Sequence, residues 1–266
     1  MIVFSTFIDP ALDLDLLPQW IRHYKNYCFD RYHAIVHVKP LALKDHRFLS
    51  GWKMLRDAGF ETSEAMGPYG NGILQRSAMA EFKASLSPDD TLVLADSDEF
   101  HDMPDDYRDM ALDCDCIAGN LFDRWDDDLH DAGADTPLVA QYPHQGDIYE
   151  HIRKKYNLTA GNWQWKRQST KMLSHKVKFT LELSGNHFLS PGGPKPEITM
   201  DGMRIWHYTW RSGIIKRIMS RSYNPEWWTF QLMTHFGIGG DSDDYRAAVK
   251  LHQERQAEKG LAPIYA

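Results

Sequence analysis

Hydrophobic and polar positions in the first part of the chain follow two different periods. Residues 1–9 are mostly apolar and end at Asp9 and Pro10, which predicts a buried parallel strand leading into a loop. In the next segment apolar residues recur at helical spacing, and Asp13 and Asp15 could cap that helix. The apolar residues are Leu16, Leu17, Trp20, Ile21, Tyr24 and Tyr27. The chain is therefore expected to begin with a strand and an amphipathic helix.

The same succession of strand and helix then repeats. Tyr32 to Val38 is rich in β-branched and aromatic residues, which predicts a second strand. Lys44 to Ala58 predicts a helix that ends at Gly59. A third helix is expected after the glycine-rich stretch 67–72 and continues to about Ser85. Strands that alternate with helices are typical of the α/β fold class.

An acidic cluster directly follows the next apolar run. The run Thr91 to Ala95 predicts a buried strand, and Asp96, Ser97 and Asp98 come immediately after it. Open α/β sheets bind ligands beyond the carboxyl ends of their strands. On an extended backbone Asp96 and Asp98 point to the same side, so both can approach one cation. Mg²⁺ or Mn²⁺ accepts one or two protein carboxylates and takes its other ligands from water and substrate phosphates. The alternative is a solvated acidic turn.

The second half of the chain alternates less regularly. We expect a strand at Cys116 to Phe122, a helix from about Gly213 to Arg221, and a charged surface helix from Tyr245 to Lys259. Open α/β enzymes of this length commonly form one compact unit. The predicted organisation is therefore a catalytic domain at residues 1–222, with a helical extension at residues 223–266 packed on it.

Composition and charge narrow the class of protein. The 266 residues are 42% hydrophobic and 12% aromatic, which is enough apolar material for a large core. A formal net charge of -7 gives no overall positive field, so nucleic acid is not an expected partner. We expect a cytoplasmic protein, because the sequence shows no basic leader and no apolar run near the roughly 20 residues of a membrane span. The cysteines Cys28, Cys114 and Cys116 are expected to be reduced.

Several motifs occur in the same order as in a known enzyme family. They are Leu17-Pro18-Gln19-Trp20-Ile21-Arg22-His23-Tyr24, Asp30-Arg31-Tyr32-His33-Ala34-Ile35-Val36, Tyr69-Gly70 with Gln75, Ala95-Asp96-Ser97-Asp98-Glu99-Phe100, and Trp206-His207-Tyr208 with Arg211-Ser212. These colinear motifs resemble those of GT-A glycosyltransferases of the family 2-like and family 92-like kinds. The resemblance implies the GT-A fold, a Rossmann-like α/β architecture of nucleotide-diphospho-sugar transferases with a mixed central sheet.

The resemblance also implies a metal centre and a donor site. Mn²⁺ or Mg²⁺ would be held by Asp96, Asp98 and His207. The implied donor-contacting residues are Thr6, Phe7, Asp9, Gln75, Arg76, Asp96 and Ser97. Considered by residue type alone, His207 could instead be a hydrogen-bonded core histidine, and Arg76 an ordinary surface residue. Asp9 could accept a hydrogen bond from a ribose hydroxyl or a base N–H, or cap the turn near Pro10.

The chemistry of transfer suggests further candidates. Lys171, His175 and Arg211 could pair with the phosphates of the donor, or could be solvated basic residues. Inverting transfer needs a carboxylate that takes the proton of the acceptor hydroxyl, whereas retaining transfer needs none. The candidate bases are Asp123, Asp126 and Asp147, with a solvated acidic loop as the alternative.

The predicted activity is transfer of a hexose from a nucleoside diphosphate-sugar, with a UDP-sugar as the expected donor, to a hydroxyl of a glycan or related acceptor. Tryptophans could stack on the sugar rings or belong to the core. The candidates are Trp163, Trp165, Trp210, Trp227 and Trp228. Two other classes stay open: a metal-dependent phosphohydrolase or nuclease, and a non-catalytic carbohydrate-binding protein of the same fold.

Overall fold

The computed structural model describes residues 1–39, 41–67, 73–126, 130–146, 170–179, 197–198 and 203–211. Its strands are β1 (Ile2–Ile8), β2 (Arg31–Val38), β3 (Glu61–Met66), β4 (Thr91–Leu94), β5 (Glu99–Asp102), β6 (Cys116–Trp125), β7 (His144–Gly146), β8 (Thr170–Lys176), β9 (Glu197–Ile198) and β10 (Arg204–Trp210). Its helices are α1 (Leu17–Lys25), α2 (His46–Asp57), α3 (Ile73–Lys83), α4 (Tyr107–Asp113) and α5 (Leu138–Gln141). The predicted helices at 213–221 and 245–259 and the extension at 223–266 lie outside the described residues.

The strands form one mixed sheet with two differently built halves. The order is β3-β2-β1-β4-β8-β6-β10-β5, and β7 and β9 each pair with β6. In the first half, β3, β2, β1 and β4 are all parallel. In the second half, β8 is antiparallel to both β4 and β6, β10 is parallel to β6, and β5 is antiparallel to β10. The predicted fold class, α/β with a mixed central sheet, is confirmed.

The centre of the core lies around β1. Every residue of this strand is buried, as expected for a parallel strand with both faces covered. Helix α1 packs the apolar stripe predicted from the sequence, and its Trp20 and Tyr24 rings lie 5.5 and 4.3 Å from the ring of Phe4. The helix has Leu16 as its N-cap, without a side-chain cap. The prediction that Asp13 and Asp15 cap α1 is therefore wrong.

Most predicted element boundaries in the first half are close to those observed. Helix α2 ends at Asp57, and Gly59 follows with a φ of +79°, the left-handed conformation that ends a helix. The fourth strand stops one residue before the predicted end, at Leu94. Strand β6 continues three residues past the predicted Phe122, so that Asp123 lies inside the strand. None of the helices among the described residues has the length and hydrophobicity needed to cross a bilayer.

Three strands that run in the same direction bring the predicted site residues to one edge of the sheet. Strands β4, β6 and β10 run the same way, because β8 is antiparallel to its two neighbours and β10 is parallel to β6. Asp96 follows β4, and in the register His207 of β10 lies between Glu99 of β5 and Asp123 of β6. Strand β8 begins at this edge, because it runs in the opposite direction.

The outer side of β5 is closed by side chains of the first helix and the turn after it. The hydroxyl of Tyr24 donates to the carbonyl of Glu99 at 3.1 Å. The carbonyl of His101 accepts from the hydroxyl of Tyr27 at 2.8 Å and from Nε2 of His23 at 2.9 Å. These bonds join α1 to β5, the last of the described strands in the sheet order, next to the acidic cluster.

Candidate active site

The Asp-Ser-Asp segment is a tight turn. The amide of Glu99 donates to the carbonyl of Asp96 at 3.1 Å, which closes the turn. The carbonyl of Asp96 accepts from the indole N–H of Trp20 at 3.1 Å, and that of Asp98 accepts from the amide of Tyr208 at 2.8 Å. The turn is thus fixed between α1 and β10. The prediction of an extended backbone at this motif is wrong.

Asp98, His207 and Asp123 form a line of side chains across the edge of the sheet. Nδ1 of His207 lies 2.9 Å from a carboxylate oxygen of Asp123, and Nε2 lies 3.5 Å from one of Asp98. A carboxylate only accepts, so Nδ1 carries the proton of this bond. A histidine that donates to a carboxylate through one nitrogen and presents the other is the usual arrangement of a metal-binding histidine. Asp123 is fully buried, whereas 19% of the His207 side chain is exposed.

Lys171 joins Asp96 to Glu99. Its ammonium lies 2.6 Å from Oδ2 of Asp96 and 2.5 Å from Oε1 of Glu99, and its side chain is 1% exposed. Burial alone would lower the pKa of Lys171, but the two carboxylates outweigh it and hold the pKa above its usual range. Burial would raise the pKa of Glu99, yet the ammonium of Lys171 holds it well below its usual range. Lys171 is therefore a buried cation, and the alternative of a solvated basic residue is wrong.

Arg211 forms a second buried ionic cluster beside the turn. It contacts Asp13 through Nη2 at 2.8 Å and Asp15 through Nε at 2.9 Å, and it is fully buried. Asp13 also accepts from the hydroxyl of Ser97 at 2.5 Å. Both predicted donor contacts, Arg211 and Ser97, are thus engaged with the segment before α1. A fully buried guanidinium does not reach a donor phosphate, so that prediction for Arg211 is corrected to a structural role.

The ion pairs described around the Asp-Ser-Asp turn contain more acidic than basic side chains. The carboxylates are Asp13, Asp15, Asp96, Asp98, Glu99 and Asp123, and the permanently charged partners in these contacts are Lys171 and Arg211. Buried carboxylates are stable only when positive charge compensates them. Within the described segments, no group of three or more His, Cys, Asp or Glu side chains is arranged to hold a metal ion. The role of Asp98 and His207 as metal ligands stays a prediction.

The other predicted donor residues lie at the ends of neighbouring elements. Thr6 and Phe7 belong to β1, not to the loop after it, and both are buried. Asp9 follows β1 and pairs with Lys39, which follows β2, at 2.6 Å. Its other oxygen accepts from the amide of Ala11 at 3.1 Å, which is the local turn cap considered as its alternative role. Since β1 and β4 are adjacent and parallel, Asp9 and Asp96 follow the same edge of the sheet.

Two donor predictions fall on α3. Gln75 is buried on this helix. Arg76 is half-buried, and its Nε has no hydrogen-bond partner among the described residues. The described contacts do not bring either side chain to Asp96 or His207, so their contact with a donor stays a prediction.

His175 lies in the interior, away from the predicted site. It stands four residues after Lys171 on β8, about 13 Å along an extended strand. Nδ1 bonds to the carbonyl of Lys176 at 2.7 Å, and burial together with the charge of Lys83 lowers the pKa of His175 to about 4. A buried, neutral imidazole does not bind phosphate as a cation, so this prediction is wrong.

The three candidate bases have different positions. Asp123 is fully buried and accepts the Nδ1 proton of His207, which favours a role in orienting the histidine, and its role as a base stays a prediction. Asp126 is half-buried directly after β6, and its role as a base stays a prediction. Asp147 lies outside the described residues, as do the side chains of Trp163, Trp165, Trp210, Trp227 and Trp228.

Comparisons with known proteins give a weak likeness to solved structures and no match in sequence. No known protein family matches the sequence, and no curated protein matches it. Among solved structures, the chain is similar to the crystal structure of galactosyltransferase LgtC in complex with donor and acceptor sugar analogs. The identity is 12%, the TM-score is 0.30, and the match covers 66% of this chain and 58% of that chain. The chain thus spans less than two thirds of the length of this protein. Function is therefore inferred from the side chains of the site.

Proposed function

We propose that this chain is a metal-dependent glycosyltransferase that moves a sugar from a nucleoside diphosphate-sugar, with a UDP-hexose as the expected donor, to a hydroxyl of a glycan or related acceptor. The observation that supports it is the line Asp98, His207 and Asp123. Asp98 follows β4, and Asp123 and His207 are neighbours on the parallel strands β6 and β10, towards the edge where α/β folds bind ligands.

The spacing of Asp98 and His207 fits a divalent ion. Two atoms bound at about 2.1 Å to one ion lie about 3.0 Å apart in octahedral and about 3.4 Å apart in tetrahedral geometry. The observed separation of 3.5 Å matches the tetrahedral value and is about 0.5 Å longer than the octahedral value. When bound, Mn²⁺ or Mg²⁺ would stabilise the negative charge that develops on the leaving diphosphate. Asp123 would hold the histidine in the tautomer that presents Nε2 to the ion.

The remaining residues of the site have roles in binding and orientation. About a third of the Asp96 side chain is exposed, so this carboxylate can accept hydrogen bonds from hydroxyls of the donor. Asp9, after β1, is the proposed acceptor of a hydrogen bond from the nucleoside. If transfer inverts the anomeric centre, Asp126 or Asp147 is the candidate base for the proton of the acceptor.

A screen of nucleotide-sugars with Mn²⁺ or Mg²⁺ tests the proposal, with released nucleoside diphosphate as the readout. We expect release with at least one donor, and loss of most of the activity in Asp98→Asn and in His207→Ala. Asp57→Asn, an exposed carboxylate of α2, serves as the matched control and is expected to retain activity.

The other two classes give different outcomes in the same screen. Release of inorganic phosphate from the nucleotide, without cleavage at the anomeric carbon, would identify a phosphohydrolase and contradict the proposal. Metal-dependent UDP binding without turnover of any donor would indicate a binding protein. Binding is measured as a rise of the melting temperature with UDP and Mn²⁺, because a ligand of the native state stabilises that state.

A further inference from the structure

Lys171 is a cation of the chain itself next to the proposed metal ligands. Its ammonium contacts one oxygen of Asp96 and one of Glu99, at 2.6 and 2.5 Å, so two of its three N–H donors point at carboxylates. A divalent ion bound to the same oxygen of Asp96 would lie within about 5 Å of the ammonium, where like charges repel. Lys171 and a metal ion therefore compete for this oxygen.

The ammonium is held in this position by the fold. Lys171 stands near the start of β8, where it pairs with Gly119 of β6, and its side chain is 1% exposed. Its departure would leave Glu99, which is 2% exposed, without the cation that compensates it. The other oxygen of Glu99 accepts the amide N–H of Asp96 at 3.1 Å, so these three residues form one closed unit.

Asp98 is turned toward a different partner. Its carboxylate faces Nε2 of His207 at 3.5 Å, and its carbonyl is fixed by the amide of Tyr208. Because the segment is a tight turn, Asp96 and Asp98 are presented to two different groups, one to an ammonium and one to an imidazole. The two carboxylates of the motif are therefore not equivalent toward a cation.

We propose that Lys171 is a positioning residue, an internal counter-ion that holds Asp96 and Glu99 and keeps Asp96 out of the direct ligand set of the metal ion. Among the described residues the ion is then held by Asp98 and His207, and Asp96 serves the polar groups of the donor. This inference rests on the proposed function and adds to it the division of roles between the two aspartates.

The test is the affinity for Mn²⁺, measured by isothermal titration calorimetry with UDP present. Removal of the lysine charge in Lys171→Met frees Asp96 for the ion, so we expect Mn²⁺ to bind about tenfold tighter or more. Lys171→Arg keeps the charge and is expected to stay close to the wild type. An unchanged Mn²⁺ affinity in Lys171→Met would contradict the proposed competition between the ammonium and the ion.

A charge-neutral double variant separates ligation from long-range electrostatics. Asp96→Asn combined with Lys171→Met removes one charge of each sign, and we expect a Mn²⁺ affinity within about threefold of the wild type. A loss of about tenfold or more would show that Asp96 is a direct ligand and would overturn the inference. Melting curves without metal identify any variant that does not fold.

The same titrations distinguish failure of the inference from failure of the proposed function. If the wild type binds Mn²⁺ and UDP while Asp98→Asn does not, but the double variant also loses its affinity, only the role of Lys171 is refuted. If the wild type binds neither, the proposed function is refuted, and the inference with it.

Discussion

Replacement of Arg211 by methionine tests the buried ionic cluster beside the Asp-Ser-Asp turn. The guanidinium is fully buried and contacts both Asp13 and Asp15, so Arg211→Met leaves two buried carboxylates without their cation. Removal of one partner of a buried ion pair typically destabilises a protein by about 3–5 kcal/mol, because the remaining charge stays away from water. Methionine fills most of the volume of arginine, so the loss of unfolding free energy reports the missing charge more than a change in packing.

The matched control is Arg31→Met. Arg31 also bonds a carboxylate through two nitrogens, but its side chain is 29% exposed and that of its partner Glu61 is 56% exposed. An exposed pair of this kind contributes about 0–1 kcal/mol. Both free energies of unfolding are measured by urea denaturation, followed by tryptophan fluorescence. Equal losses in the two variants would contradict the reasoning. Recovery of stability on adding Asp13→Asn and Asp15→Asn to Arg211→Met would support it.

Two further predictions concern the histidines. Asp123→Asn is expected to lower Mn²⁺ affinity by about 10–100-fold, because the carboxylate that orients His207 is lost. The affinity is measured by calorimetry, and an unchanged affinity would contradict the role given to Asp123. The pKa of His175 is lowered from 6.5 to about 4 by burial and Lys83, so the unfolded chain binds its proton first and stability falls as the pH drops from 6.5 to about 4. Urea denaturation across this range should show a smaller fall in His175→Gln, and an equal fall would refute the assignment.

The position of the acidic cluster was predictable from local pattern. A run of apolar residues that ends in Asp96 is recognisable as a buried strand, and the fold then carries the cluster to the ligand-binding edge. The resemblance of the motif around His207 singled out a histidine that indeed faces Asp98. Local pattern did not reveal that the backbone folds into a turn, because the same tripeptide fits a strand or a turn equally well.

The partners of the charged residues were not predictable in this way. Nothing in the local sequence marks Glu99 as the partner of a buried cation. That cation, Lys171, lies 72 positions away along the chain. Asp13 looked like a helix cap, yet its partner Arg211 lies 198 positions away. A histidine can bind phosphate by its residue type, but the position of His175 on β8 buries its side chain in the interior. Contacts between distant segments depend on strand order, which a single sequence does not specify.

The contacts of α1 with β5 have a consequence for self-association. A strand at the end of a sheet offers unpaired carbonyls to any other chain in an extended conformation, which is a common route to aggregation. Here Tyr24, Tyr27 and His23 already occupy the outward carbonyls of Glu99 and His101. A foreign strand would have to displace three side-chain donors before it could add to this edge. The bonds that anchor the first helix thus also protect the chain against intermolecular strand pairing beside its site.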